Sequence, residues 1–109
     1  MPNNTINLQD YRTPGSKVFT GRDRGEKVRK SSKIDFFAAE NEPSTIVVPE
    51  DIRSINPSFL EEFLVNVVTR LGKVGFFAKF KFENNGRYKI DEDLNEAIDR
   101  ILREENALA

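Results

Sequence analysis

The chain has no cysteine, no histidine and no tryptophan, and a single methionine in 109 residues. Without cysteine there is no disulfide framework, no thiolate nucleophile and no thiolate zinc site. Without histidine the commonest general base and metal ligand is missing, so hydrolysis by a Ser-His-Asp triad is excluded. No apolar run approaches the roughly 20 residues that a membrane-spanning helix requires. The first residues, Met1-Pro-Asn-Asn-Thr5, lack the apolar core of a secretory signal. A net charge of -1 gives the whole chain no general attraction to nucleic acid or to an anionic membrane. These absences lead us to expect a soluble, cytoplasmic protein of one domain, long enough to bury a modest core unaided. Internal repeats, low-complexity tracts and interdomain linkers are also lacking.

Charge is present but unevenly placed. Residues 1–33 carry Arg12, Lys17, Arg22, Arg24, Lys27, Arg29, Lys30 and Lys33 against Asp10, Asp23 and Glu26. The middle third reverses the balance, with Arg53 set against Asp35, Glu40, Glu42, Glu50, Asp51, Glu61 and Glu62. Two differently charged faces of one domain are expected, set against the simpler reading of ordinary surface charge.

Ile6-Asn-Leu8 and Lys17-Val-Phe19 alternate weakly across the turn cluster Thr13-Pro-Gly-Ser16, as an edge hairpin or as two separate edge strands. A helical pattern begins after Thr20, a candidate N-cap, with Val28, Ile34 and Phe37 on the inward face. Gly21 and Gly25 each cost a helix about 1 kcal/mol relative to alanine, and a glycine so placed often admits a second backbone. The Ser31-Ser32 pair is expected to divide this segment. Asn41-Glu-Pro-Ser44 reads as a loop and Thr45-Ile-Val-Val48 as a central strand covered on both faces.

The clearest helix carries Phe59, Leu60, Phe63, Leu64, Val67, Val68 and Leu71 at three- and four-residue spacing, with Gly72 as its stop. A strand is expected over Phe76–Phe82, then a turn at Asn84-Asn-Gly86, then a helix capped by Asp91 and burying Leu94, Ile98, Ile101 and Leu102. Asp91, Glu92 and Asp93 suit the positive end of that helix better than a metal ion. The order β, β, α, β, α, β, α implies βαβ crossovers and a mostly parallel sheet. We expect an N-terminal edge segment at 1–16, a domain over 17–104 and a flexible tail at 105–109. Nine phenylalanines at periodic positions read as core.

Within this frame Ser58 stands out. Asn56 is a candidate N-cap and Pro57 suits the first helical position, which leaves Ser58 in the first turn. The first backbone N–H groups of a helix lack intrahelical partners and carry positive partial charge. A phosphate on Ser58 would bring roughly -1.5 to -2 charge into that field. Glu61 and Glu62, one turn on, and Glu50 and Asp51, before the loop, would repel it and so change how this surface meets a partner. The plainer reading is a favourable first-turn serine.

The strand followed by Glu50-Asp-Ile52, a polar loop and Ser58-Phe-Leu60 opening an amphipathic helix resembles the STAS fold of anti-sigma factor antagonists and sulfate-transporter tails. The chain is more similar still to bacterial STAS-like domains of unknown function, through Gly21-Arg-Asp-Arg-Gly25, the Ser-Phe turn and Phe80-Lys-Phe-Glu-Asn84. The resemblance covers roughly residues 17–102. It implies an α/β, STAS-like fold, with about four strands in a mixed sheet and three main helices packed on it. In the antagonists a serine or threonine at this turn is phosphorylated by a partner serine kinase; the matching position here is Ser58, with Asn56 where an aspartate usually stands and Leu60 on the usual leucine. Pro57 and Phe59 depart from the small hydroxyl residue and glycine of the antagonist turn, and Asn56 supplies no acidic group. Phe59 would restrict a kinase's approach to the hydroxyl.

The resemblance thus implies a non-enzymatic regulatory module that switches partners. Ser58 is its switch, and Arg53, Ser54, Asn56, Pro57, Phe59, Glu61 and Glu62 form its contact surface. The implied partner is a histidine-kinase-like ATPase acting as a serine kinase, which brings the ATP, so the chain itself needs no cofactor. Binding of that partner without phosphorylation is a variant of the same reading. A competing class is nucleic-acid binding through Arg22, Arg24, Lys27, Arg29, Lys30 and Lys33, which would neutralise phosphates but lacks interleaved aromatics for base stacking. Pairing of these cations with Asp23 and Glu26 on a solvated helix face is the simpler account. The spacing of Gly21 and Gly25 matches neither the dinucleotide fingerprint nor the phosphate-binding loop. An enzyme using Ser58 or a carboxylate pair is the third class, and no base is placed by sequence beside Ser58.

Overall fold

Ser44-Thr-Ile-Val-Val48 has the β-branched content and alternation of a strand, and it organises the molecule. A computed structural model of the protein describes residues 4–40, 42–84 and 86–108. Asn41 of the expected loop, Asn85 of the expected turn and the terminal residues 1–3 and 109 lie outside the described residues. Strand β3 (Ser44–Val48) is the centre of a three-stranded parallel sheet in the order β1-β3-β5, with β1 at Asn4–Asn7 and β5 at Phe80–Asn84. Ile6, Ile46 and Phe82 lie in register across it. A second, two-stranded parallel sheet pairs β2 (Val18–Phe19) with β4 (Ser54–Ile55). A short 3-10 turn, Leu8–Tyr11, follows β1.

The α/β class and the parallel pairing agree with the sequence expectation; the single mixed sheet of about four strands does not describe this chain. β2 and β4 are two residues each, and they pair with one another rather than extend the main sheet. Consequently the first two strands are separated and do not form a hairpin. The segment expected as an N-terminal edge supplies an edge strand of the main sheet, with Ile6 and Leu8 buried in the core.

β3 is central but covered on one face. Ser44, Ile46 and Val48 are buried while Thr45 and Val47 are half-exposed. Thr5, Asn7, Lys81 and Glu83 share the open side and are exposed. Ile6, Ile46, Val48 and Phe80 join one core with the inward residues of the helices, so the described helices gather on one side of the sheet.

Among the described residues four helices complete the fold: α1 (Arg22–Ser32), α2 (Ile34–Ala39), α3 (Pro57–Lys79) and α4 (Asp91–Leu108). Lys33, in the left-handed conformation at φ 59°, separates α1 from α2, one residue after the serine pair. Val28 and Ile34 are buried as expected, and Phe37 packs against the core. Thr20 is not the cap of α1. Gly21 is, with φ 89° and no side-chain cap hydrogen bond, a conformation open to glycine without steric cost.

Gly72 interrupts α3 with φ 76° and ψ 174°, but the chain resumes helical conformation and reaches Lys79. The strand expected over Phe76–Phe82 therefore starts only at Phe80. Phe76 and Phe80 stack with ring centroids 5.2 Å apart; their four-residue separation satisfies the helical period as well as the period of two. α4 begins with Asp91 already inside it, and the Ile90 carbonyl accepts the Leu94 N–H at 2.8 Å, so the cap stands one residue earlier than expected. The 105–109 segment, expected as a flexible tail, has helical backbone as far as Leu108. Among the described residues no helix is long and apolar enough to cross a membrane.

Candidate functional site

β2 and β4 run parallel and each feeds a helix. Phe19 pairs with Ile55, and the Asn56 N–H donates to the Phe19 carbonyl at 2.8 Å. The caps that follow, Gly21 for α1 and Asn56 for α3, thus stand at the same end of the small sheet. Two helix N-termini, each with positive partial charge, are brought side by side. Gly25 makes that approach possible: a Cβ on it would lie 2.4 Å from the Phe59 carbonyl oxygen and 2.9 Å from Glu62 Cβ.

Asn56 caps α3 as its sequence position implies. Its Oδ1 accepts the Ser58 N–H at 2.8 Å, and its carbonyl accepts the N–H groups of Phe59 and Leu60 at 3.0 and 3.2 Å. Pro57 occupies the first helical position, where its missing N–H costs nothing. Ser58 and Pro57 are half-exposed, and Asn56 is exposed. Arg53 is exposed, with its N–H donating to the Lys17 carbonyl at 2.7 Å; Ser54 is half-buried in β4.

The loop leading into Ser58 is held from three directions. Arg12 forks onto Asp51, with Nη1 2.7 Å and Nη2 3.0 Å from the two carboxylate oxygens, and its Nε donates to the Ser16 carbonyl at 3.1 Å. The hydrogen bonding of Arg12 to Asp51, more than the charge of the guanidinium, holds the Asp51 carboxyl below its usual range. Gly86 packs so closely on Glu50 that a Cβ would lie 2.2 Å from the Glu50 carbonyl oxygen. The Tyr88 hydroxyl reaches the Ile55 carbonyl at 3.1 Å and the Asp93 carboxylate as well, so one proton serves two acceptors. Burial, then the hydrogen bond with Asp93, pushes the Tyr88 phenol above its usual range.

Two expected contact residues are not on the surface. Phe59 is fully buried, 5.1 Å from Phe19 and 5.7 Å from Phe63 between ring centroids. It belongs to the apolar stripe of α3, so its ring is part of the core and not of the accessible surface. Glu61 is 4% exposed. Its Oε2 accepts from Arg100 Nη1 of α4 at 3.1 Å, and Arg22 Nη2 of α1 lies 3.6 Å from Oε1. Glu62, half-buried, is 3.6 Å from Arg22 Nη1 and 3.5 Å from Arg29 Nη1, which also donates to the Glu62 carbonyl. Five charges from three helices therefore form one cluster around Glu61 and Glu62, which follow Ser58 by one turn of α3.

The six cations of the basic segment do not make a common face. Arg22 and Arg29 turn towards α3, Arg24 donates to Thr13 Oγ1 at 2.6 Å, and Lys30 pairs with Glu26 at 2.9 Å. Arg24 and Lys27 line a cavity of about 600 Å³ together with Thr13, Phe19, Thr20 and Arg22. Lys33 stands at the α1–α2 junction. A cleft of about 630 Å³ beside the loop is lined by Glu50, Asp51, Arg53, Arg87 and Tyr88. Among the described residues no three acidic side chains are grouped to hold a metal ion.

Arg100, Arg12 and Tyr88 were not singled out by sequence. The first two reach carboxylates 39 residues away, and no local pattern marks them. Comparison with family models, with curated proteins and with solved structures finds no match to this chain.

Proposed function

We propose that the chain is a non-enzymatic regulatory module that binds another protein through the loop and helix start at Arg53–Ser58, with Ser58 as a phosphate-accepting switch. The supporting observation is the position of Ser58: half-exposed in the first turn of α3, beyond an Asn56 cap, with the segment that leads to the cap held by Arg12, Gly86 and Tyr88 at Asp51, Glu50 and Ile55. A rigid display of a hydroxyl costs a partner little ordering entropy on binding. Arg53, Ser54, Asn56 and Pro57 form the accessible part of the contact surface; Phe59, Glu61 and Glu62 support it from beneath or from the side.

The STAS-like pattern of the sequence supports a histidine-kinase-like ATPase as partner. Such a kinase holds ATP; the bond from its γ-phosphorus to the bridging oxygen breaks, the Ser58 Oγ–P bond forms, ADP leaves, and the serine proton passes to a base on the kinase. The new dianion stands one turn before Glu61 and Glu62 on α3, so the surface changes its balance of charge without a change of fold. Division of the cations between the α3 seam, Thr13, Glu26 and a cavity wall weighs against nucleic-acid binding by α1.

The test is capture from the host's lysate with wild type, Ser58→Ala and Ser58→Glu as baits, read by mass spectrometry. One protein retained by wild type and Ser58→Ala and lost with Ser58→Glu is the expected result. Identical partner sets for all three baits would rule out the switch.

A further inference from the structure

We infer that Arg22 is a built-in receiver for a phosphate on Ser58, exchanging the two carboxylates it now bridges for the phosphate. The inference deepens the switch reading and depends on it only for the presence of phosphate at Ser58.

Three observations carry it. The first is place. Glu61 and Glu62 follow Ser58 by three and four residues on one helix, so the three side chains share a face. Helical side chains lean towards the N-terminus and cover the turn before their own Cα, so both carboxylates lie over the turn containing Ser58. The guanidinium that sits 3.6 Å from each of them lies over that same turn. Parallel pairing of β2 with β4 and the contact at Gly25 bring the first turn of α1 there.

The second is how loosely Arg22 is held. Neither 3.6 Å separation is short enough for a hydrogen bond, and the Arg22 side chain is 56% exposed. Only the Arg22 end of these pairs is open to solvent, since the Glu61 side chain is 5% exposed; an arginine held without a hydrogen bond is exchanged readily provided that the buried carboxylate keeps another cation.

The third is redundancy. When Arg22 leaves, Glu61 keeps its 3.1 Å hydrogen bond from Arg100, and Glu62 keeps Arg29. The buried carboxylate is never left alone, which is the condition that would otherwise make the exchange costly. A phosphate dianion, by contrast, offers a guanidinium fork two charge-assisted hydrogen bonds. The charged groups of that cluster are Arg22 and Arg29 from α1, Glu61 and Glu62 from α3, and Arg100 from α4.

The experiment uses the full chain with phosphoserine installed at position 58 during synthesis, so it needs no kinase. A phosphorus NMR titration reads the second ionisation of that phosphate, which for phosphoserine is near pH 6. The expected result is a midpoint in wild type roughly half to one unit below that in Arg22→Gln, a three- to tenfold difference in proton affinity. Arg22→Lys should recover part of the shift, and Arg24→Gln, whose side chain faces Thr13, should leave it intact. Equal midpoints in wild type and Arg22→Gln would overturn the inference. So would equal losses in Arg22→Gln and Arg24→Gln, since a diffuse positive field would then be acting. Failure of the lysate capture with a positive titration would remove the partner and leave the receiver standing.

Discussion

Gly25 and Ser58 teach opposite lessons about a single residue. Gly25 matters for what it lacks: its missing Cβ lets α1 approach to where a methyl would lie 2.4 Å from a backbone oxygen of α3. Gly25→Ala would gain about 1 kcal/mol in helix propensity, yet overpacking against atoms that cannot rotate aside costs about 1–3 kcal/mol. We expect Gly25→Ala to lower stability by up to about 2 kcal/mol in urea unfolding, and the five-charge cluster to loosen with it. A close approach at this glycine was legible from its position in a helix start. Ser58, Asn56 and Pro57 were legible because a cap is a local device read within three residues. Glu61 was not: its burial depends on Arg22 and Arg100, each 39 positions away. Phe59 illustrates a conflict that periodicity resolves, since its four-residue relation to Phe63 assigns it to the core stripe rather than to a contact surface.

Elements are less legible than residues where two periods coincide. From Phe76 onward the phenylalanines satisfy both helical and strand spacing, and the helix prevails as far as Lys79, whose ammonium donates to the carbonyls of Glu40 and Glu42. What allows this is Gly72, which stops one helical run and lets another begin at a new angle. Its φ of 76° with ψ of 174° falls in a region that side chains rarely enter. A Cβ there would meet nothing within 4 Å. Gly72→Ala should therefore cost about 1–3 kcal/mol through the backbone alone. Its thermal unfolding temperature should fall as that of Gly25→Ala does, although no atom is crowded. An unchanged melting temperature would mean that α3 tolerates straightening at this point.

At the scale of the molecule the parallel sheet departs from the usual two-sided covering, because the described helices all pack on the face that holds Ile46, Val48 and Phe80. The alternation of strands and helices made a parallel α/β fold legible. It carried no signal that β2 and β4, two residues each, would form a sheet of their own. That small sheet needs ties to the rest, and Tyr88 supplies one by joining the Ile55 carbonyl at the end of β4 to Asp93 in the first turn of α4. Tyr88→Phe removes the donor from both acceptors and should cost about 1–2 kcal/mol at neutral pH. The pH dependence follows from the direction of the shift. Folding raises the Tyr88 phenol above its ordinary value of 10.0, so the folded state favours the protonated form. The stabilisation is complete below that ordinary value and is lost as pH rises towards the folded one. Chemical unfolding of wild type and Tyr88→Phe at a series of pH values should show a constant gap up to about pH 10 and a shrinking one above it. A gap that stayed constant to higher pH would assign the loss in Tyr88→Phe to packing, and the hydroxyl would no longer count as the tie between the small sheet and α4.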